Sequence, residues 1–299
     1  MVLTIIVTYN ALKWIDRCLG SLRLSTVPTD AVVIDNASTD ETVDYIRQHY
    51  PDVQLVPQDK NLGFGQANNI GLRKALQENY DHVLLLNQDA YIAPDMLAKL
   101  LDHTDTESLV SPVHMNGEGN KMDVKFYLNS WLQSPLKSFS TDAIPSIEGR
   151  YPALFINAAC WLIPTAILTE VGGFSPLYFH YVEDNDYVQR LQFHHKGVYI
   201  VPQAVVYHDR VNIAHPAPTE QYLYHLLLLR AVDIRRNRLC CLLRRWRTEL
   251  GVIYHAIKER RGQDIRYLCR ALSRFYANHS TIAPNRAIIK EKGPHWLVV

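Results

Sequence analysis

Val2-Leu3-Thr4-Ile5-Ile6-Val7-Thr8 is an almost unbroken apolar run, and Leu12, Ile15, Leu19 and Leu22 follow it at helical spacing within Ala11–Arg23. A β-branched run of this length suits a strand buried on both faces, and the 3–4 spacing suits an amphipathic helix. The same couplet then recurs. Ala31–Ile34 precedes a helix over Thr42–Tyr50, with Ser38, Thr39 and Asp40 as capping candidates. Val53–Val56 precedes Gln66–Gln77, and His82–Leu86 precedes Pro94–Leu101, where Pro sits in the first turn. Repeated βα couplets with continuous apolar strands predict an α/β chain with a mostly parallel central sheet and helices on both faces. Ligands on such sheets lie beyond the carboxyl ends of the strands. Tyr9-Asn10, Asp35-Asn36 and Asn87-Gln88-Asp89 all fall there.

Farther along, residues 115–150 carry Gly117, Gly119, Pro135, Pro145 and Gly149, which predict irregular loops and a hairpin. Ala158–Ile163 reads as a strand, and Thr165–Val171 as a helix stopped by Gly172-Gly173. Glu183–His195 reads as a helix, and Gly197–Val201 and Ala204–His208 as two short strands. After Pro216 and Pro218 the texture becomes helical over Glu220–Leu243, Thr248–Arg260 and Asp264–Ala277. The charge changes there too. Of 31 Lys and Arg, sixteen lie from His215 onward, against six of the 30 Asp and Glu. An acidic body over 1–214 and a basic helical region over 215–299 imply two jobs.

The 47% hydrophobic and 20% charged composition is that of a chain with a core, which excludes disorder as the default. Five cysteines without a CxxC pair indicate a reducing compartment with neither a disulfide framework nor a zinc knuckle. The N-terminus lacks a basic leader and no apolar run is long enough to span a bilayer. The expectation is a cytoplasmic protein, or one held peripherally on the inner face of the cell membrane.

Chemistry concentrates in three places. Asp89, just past a buried strand, is placed to hold a hard divalent cation, though taken alone it reads more simply as a turn or N-cap residue before the helix at Pro94. Glu183, Asp184 and Asp186 crowd a helix start behind the aromatic stretch Tyr178-Phe179-His180-Tyr181. Capping the positive helix end accounts for them, as does an Asp186–Arg190 pair at i,i+4. The aromatic residues could instead wall a sugar pocket beside a carboxylate base. His208 ends a strand and matters only if the fold brings it to Asp89. Gly63-Phe64-Gly65 follows a loop and lacks the last glycine of a dinucleotide fingerprint, and no P-loop occurs.

Six stretches in register resemble one family. They are Ile5–Asn10, Val33–Asp40, Asn61–Gly71, Leu86–Ala90, Gly172-Gly173-Phe174 and Glu183–Asp186. Together they are similar to the inverting glycosyltransferases of family 2, and more narrowly to its bacterial rhamnosyltransferase-like members, over roughly residues 2–210. The resemblance implies a GT-A nucleotide-diphospho-sugar transferase fold with a helical C-terminal extension. It implies that Thr8, Tyr9, Asn10, Asp35 and Asn36 meet the nucleotide, and that Asn61, Gly63 and Asn68 approach the diphosphate and sugar. Asn87 and Asp89 would occupy the DxD position, with Asn87 replacing the first Asp. Asp89 and His208 would hold Mg²⁺ or Mn²⁺. Asp184 would be the catalytic base, supported by Glu183, Asp186 and Arg190. The implied partners are a dTDP- or UDP-linked sugar donor and a saccharide or lipid-linked acceptor in bacterial surface polysaccharide synthesis.

Beyond residue 215 the resemblance fades. Leu226–Leu229, Arg235, Arg236, Arg238, Arg244, Arg245, Arg247 and Trp246 interleave apolar and cationic groups. That pattern suits an anionic membrane surface and equally a helical cap with a solvated basic face. Nucleic-acid binding would use the same arginines but leaves Asp89 and Asp184 without a role. An inactive sugar-nucleotide-binding or scaffold protein of the same fold is the alternative that Asn87 raises.

Overall fold

The computed structural model describes residues 1–210 and 218–298. The expected boundary at 214/215 and Pro216 lie outside the described residues. The chain runs β1 (Val2–Thr8), α1 (Ile15–Arg23), β2 (Asp30–Asp35), α2 (Thr42–His49), β3 (Gln54–Pro57) and α3 (Phe64–Gln77). It continues through β4 (His82–Asn87), β5 (Ala90–Ile92), α4 (Met96–Leu101), β6 (Ser108–Asn116), α5 (Val124–Phe126), β7 (Tyr151–Pro152), β8 (Cys160–Pro164) and α6 (Thr165–Val171). Then come α7 (Glu183–Phe193), β9 (Gly197–His208), α8 (Glu220–Val232), α9 (Arg238–Lys258), α10 (Gly262–Ala277) and α11 (Ile282–Ile288).

One sheet has the order β3-β2-β1-β4-β8-β6-β9-β5, with β7 also on β9. The four strands of the first couplets pair in parallel, as their patterning predicts. Beyond β4 the sheet is mixed: β8 is antiparallel to β4 and β6, and β6 is parallel to β9. Residues alternate between two cores along each strand. Leu3, Ile5, Val32, Ile34, Val83 and Leu85 enter one core; Ile6, Val33, Leu84 and Leu86 enter the other.

Three departures from the sequence expectation have local causes. No element is expected over Ser108–Asn116; a strand forms there, and the sheet accommodates Pro112 at a register shift between Pro112 and Val113. The two expected strands 197–201 and 204–208 are one strand, β9, which runs past that same shift. The expected helix over Glu220–Leu243 is two helices. Asp233 Oδ1 accepts from the Arg235 backbone N–H at 3.1 Å, and Asn237 caps α9 by accepting from the Cys240 N–H at 2.8 Å.

The C-terminal helices form a third core with Tyr178 and Val182, built on Leu223, Leu227, Leu228, Leu268 and Phe275. The chain end returns to the sheet: Leu297 lies in the first core, and Gly173 N–H donates to His295 O at 2.9 Å. Residues 178–182 are therefore held by the C-terminal helices on one side, and by α3 on the other, where the Phe64 N–H donates to Phe179 O at 3.2 Å.

Candidate active site

The carboxyl ends of β1 and β2 are level, with Thr8 opposite Asp35. Thr8 Oγ1 donates to Asp35 Oδ1 at 2.8 Å, and Asp35 Oδ2 accepts from Ser38 N–H at 2.9 Å. Asn10 adopts a left-handed φ of 50°, which Asn tolerates better than most residues. Its N–H donates to Ser38 Oγ at 2.9 Å, and its Oδ1 accepts from Thr39 N–H at 2.8 Å. The two strand ends thus form one rim. Gln88 holds the Tyr9 backbone, with Tyr9 N–H donating to Gln88 Oε1 at 2.7 Å. The Tyr9 side chain is left outward, and the residue is 47% exposed.

Asn36 is buried and reaches the next segment rather than solvent. Its Nδ2 donates to Gly63 O at 3.3 Å and its Oδ1 accepts from Leu62 N–H at 3.0 Å. Asn61 Oδ1 accepts from Gly63 N–H at 2.8 Å. Gly63 has φ 79°, and a Cβ there would stand 1.9 Å from Phe179 O. Only glycine fits, because the 61–64 loop presses against the segment that leads to Asp184. Asn68 is buried within α3 and donates to Phe64 O at 2.9 Å, so it braces the helix start.

At the neighbouring edge, Asn87 N–H donates to Ala159 O at 2.9 Å, and its Oδ1 is buried without a partner among the described residues. Ala90 pairs with His208 across β5 and β9, which sets His208 Nε2 3.2 Å from Asp89 Oδ1. Burial pushes the Asp89 carboxyl up, but the His208 contact and the Arg210 charge outweigh it and hold it below the usual carboxylate range. His208 Nδ1 is buried and unpartnered among the described residues. One carboxylate and one imidazole fit a hard divalent cation that takes its other ligands from a diphosphate and water. No cluster of three His, Cys, Asp or Glu occurs among the described residues, so an all-protein cage is not what is built.

The third edge is the start of α7. Tyr181 and Val182 both have positive φ, 67° and 73°. A β-branched residue in that region stores strain of about 1–3 kcal/mol, retained because Tyr178 and Val182 are packed in the third core. Tyr178 is wholly buried, with its hydroxyl 3.4 Å from Asp186 Oδ1. It is therefore a core residue and does not wall a sugar pocket; Phe179 and Tyr181 remain exposed. Asp186 accepts from Arg190 Nε at 2.9 Å, while Arg190 Nη1 and Nη2 donate to Val171 O at 2.8 Å and Gly173 O at 2.7 Å.

Asp184 is partly exposed, and its Oδ1 accepts from the Asn185 N–H at 2.8 Å and Nδ2 at 2.9 Å. Burial raises its pKa, opposed by these bonds and by the Ala158 N–H. Glu183 is buried, and both burial and Asp184 push its pKa up, so it is protonated at neutral pH. Its Oε2 has no partner among the described residues.

These edges are neighbours. Ala159 O accepts from the Asn87 N–H, and the backbone of Ala158, the residue before it, lowers the Asp184 pKa, so two consecutive residues face the two edges. Charges between them connect further. Burial and Arg210 lower the Lys125 pKa, while Asp123 and Asp184 act the other way. Arg210 Nε donates to Asp123 Oδ2 at 2.8 Å and also acts on Asp89. Lys125, Arg210 and Asp123 escape sequence reasoning because they sit in the irregular 115–150 region and just past β9. His114 escapes it too. It is buried, its ring 6.4 Å from that of His208, and burial together with His208 pushes its pKa down to about 3. Tyr222 of α8 also senses Asp184.

The chain resembles known proteins along most of its length. It is 27% identical over 246 residues, 73% of this chain and 79% of the relative, to N-acetylglucosaminyl-diphospho-decaprenol L-rhamnosyltransferase of Mycobacterium tuberculosis. Among solved structures it shares its fold with the mannosyltransferase PcManGT from Pyrobaculum calidifontis, solved with GDP-Man and Mn²⁺. That match has a TM-score of 0.60 and 19% identity, covering 96% of this chain and 78% of that one. It shares the fold equally with GalNAc-T7 bound to UDP, GalNAc and Mn²⁺, at a TM-score of 0.64 and 15% identity, covering 99% of this chain and 55% of that one. The model of glycosyl transferase family 2 matches residues 4–168. With that match spanning more than half the sequence, the chain belongs to glycosyl transferase family 2 and is a glycosyltransferase of the GT-A fold.

Proposed function

We propose that the chain moves a sugar from a dTDP- or UDP-linked donor to a hydroxyl of a saccharide or lipid-linked saccharide, with inversion, in the synthesis of a bacterial surface polysaccharide. The observation that carries this reading is that Ala158 and Ala159, consecutive in the chain, act on Asp184 and on the Asn87 backbone respectively. The Thr8–Asn10 and Asp35–Ser38 rim offers hydrogen-bonding groups and an outward tyrosine ring for a nucleoside. The 61–64 loop lies between that rim and Asp184, where the diphosphate and sugar would pass. Asp89 and His208 are the residues that would hold Mg²⁺ or Mn²⁺, which when bound offsets the charge of the departing diphosphate.

Asp184 carries the proton chemistry in this reading. Its carboxylate accepts the proton of the acceptor hydroxyl as that oxygen attacks the anomeric carbon from the face opposite the diphosphate. A single displacement of this kind inverts the centre through a transition state of oxocarbenium character. Burial raises the Asp184 pKa, which makes its carboxylate a stronger base than a solvated aspartate. Lys125 and Arg210 supply positive charge beside the leaving group. The relative's acceptor, a saccharide on diphospho-decaprenol, supports a lipid-linked acceptor here.

Peripheral attachment to an anionic membrane belongs to the same reading. No described helix is long and apolar enough to cross a membrane. Leu239, Leu243, Trp246, Leu250 and Ile257 nevertheless form an exposed apolar stripe on α9 beside its arginines. Co-sedimentation with phosphatidylglycerol vesicles exceeding that with phosphatidylcholine is expected, and equal binding counts against attachment. The chemistry itself is tested by incubating the protein with dTDP-rhamnose and UDP-sugars, with Mn²⁺, and following nucleoside diphosphate release and product anomer by NMR. Transfer with inversion is expected. Retention of configuration, or release without any transfer across the donor panel, would overturn it.

A further inference from the structure

α8 and α9 meet in an open cleft of about 650 Å³ lined by Arg230, Arg236, Leu243, Arg244, Arg247 and Thr248. Four guanidinium groups converge there with little to balance them. The nearest carboxylate, Asp233, stands 3.9 Å from Arg244 and is already held by Arg235 Nε at 2.8 Å. Arg230, Arg236 and Arg247 have no acidic partner among the described residues. Like charges gathered without counter-charge are unfavourable unless an anion joins them. Guanidinium forks match the oxygens of phosphate groups, to which they form charge-assisted pairs.

The position of the cleft narrows the choice of anion. Tyr222, Leu226 and Arg230 lie on one face of α8, so Arg230 is two turns, about 12 Å, from Tyr222. Tyr222 stands within the field of both Asp184 and Arg230. The cleft therefore lies about two helical turns along α8 from Tyr222, the α8 residue that senses Asp184. On the other side, Leu239, Leu243, Trp246 and Leu250 run past it as exposed apolar residues spaced three and four apart. A phosphate site between a catalytic carboxylate and an apolar stripe has the form of an amphiphile's path.

We propose that Arg230, Arg236, Arg244 and Arg247 bind the diphosphate of a lipid-linked acceptor, with its sugar reaching Asp184 past Tyr222 and its hydrocarbon chain lying along α9. The proposal rests on the reading of the chain as a transferase to a lipid-linked saccharide. The test uses the full chain and a dansyl-labelled geranyl diphosphate, followed by fluorescence anisotropy. Arg236→Gln/Arg247→Gln removes two unpaired guanidinium groups without breaking an ion pair and is expected to weaken the probe about a hundredfold. UDP with Mn²⁺ is expected not to displace the probe, and Asp184→Asn is expected to bind it as the wild type does. Failure of the transfer chemistry and failure of this site are thereby read separately. Displacement by UDP would place the probe in the donor site and overturn the proposal. Equal competition by phosphatidylglycerol vesicles of matched charge would overturn it in favour of a general headgroup surface. Unchanged affinity in the double variant would overturn it outright.

Discussion

Arg190→Lys separates a general positive charge from the particular fork that anchors the start of α7. Arg190 is 1% exposed and makes three bonds in three directions: to Asp186 at 2.9 Å, Val171 O at 2.8 Å and Gly173 O at 2.7 Å. A lysine keeps the charge but places one compact ammonium where a planar fork stood. At least one carbonyl is then left buried and unpaired, and the carboxylate bond lengthens. Each bond to a charged group is worth about 1.5–3 kcal/mol, so a loss of roughly 3–5 kcal/mol is expected, comparable to breaking a buried ion pair. At about 2 °C per kcal/mol for a chain of this size, Tm should fall by roughly 6–10 °C. Val171 and Gly173 flank the turn whose Phe174 is held by Asn69 through bonds of 2.9 and 2.8 Å. The fork therefore ties Asp184's helix to α3, and kcat should fall about tenfold or more while donor KM changes little. Circular dichroism melting and steady-state transfer assays check both numbers. A variant within 1 °C of wild type with full kcat would refute the argument.

Glu183 is held protonated by burial and by Asp184, so the folded state keeps a proton that the unfolded chain releases. Stability should therefore decline as pH rises from about 4.5 toward 8, by up to a few kcal/mol. Glu183→Gln should flatten that decline in melts taken at pH 6 and pH 8.5, and parallel curves for both proteins would count against it. Gly63→Ala places a Cβ 1.9 Å from Phe179 O at φ 79°. It should cost several kcal/mol or dislodge the 61–64 loop, seen as a drop in both Tm and donor affinity; a neutral result would show that the loop does not press on that segment. For the cation, Asp89→Asn and His208→Ala should each raise the Mn²⁺ concentration needed for half-maximal donor binding by about tenfold or more. Calorimetric titration measures this, and unaltered dependence in both variants would remove these two residues from the metal site.

Much of this was legible from residue patterns, for identifiable reasons. Continuous apolar strands announce a sheet buried on both faces, so the β1–β4 half is readable from Val2–Thr8 onward. The mixed half is not, because β6 carries Pro112 and pairs across more than eighty residues with β9. Asp89 and His208 stand out individually, but only the β5–β9 pairing makes them neighbours. Asn36 and Asn68 show the opposite limit. Their residue types suggest ligand contact, yet their amides hold the 61–64 loop and the start of α3. Lys125 sits in the one-turn helix α5, too short for any periodicity to signal that it lies within the field of Asp184.

Asp184→Asn is the substitution on which the proposed chemistry turns. Asparagine keeps the shape that Asn185 and Ala158 recognise but removes the proton acceptor. Turnover should drop by roughly 10²–10⁴-fold in a purified protein that melts normally and binds donor with Mn²⁺ as tightly as wild type does. Turnover within a factor of two of wild type would contradict the assignment of Asp184 as the base.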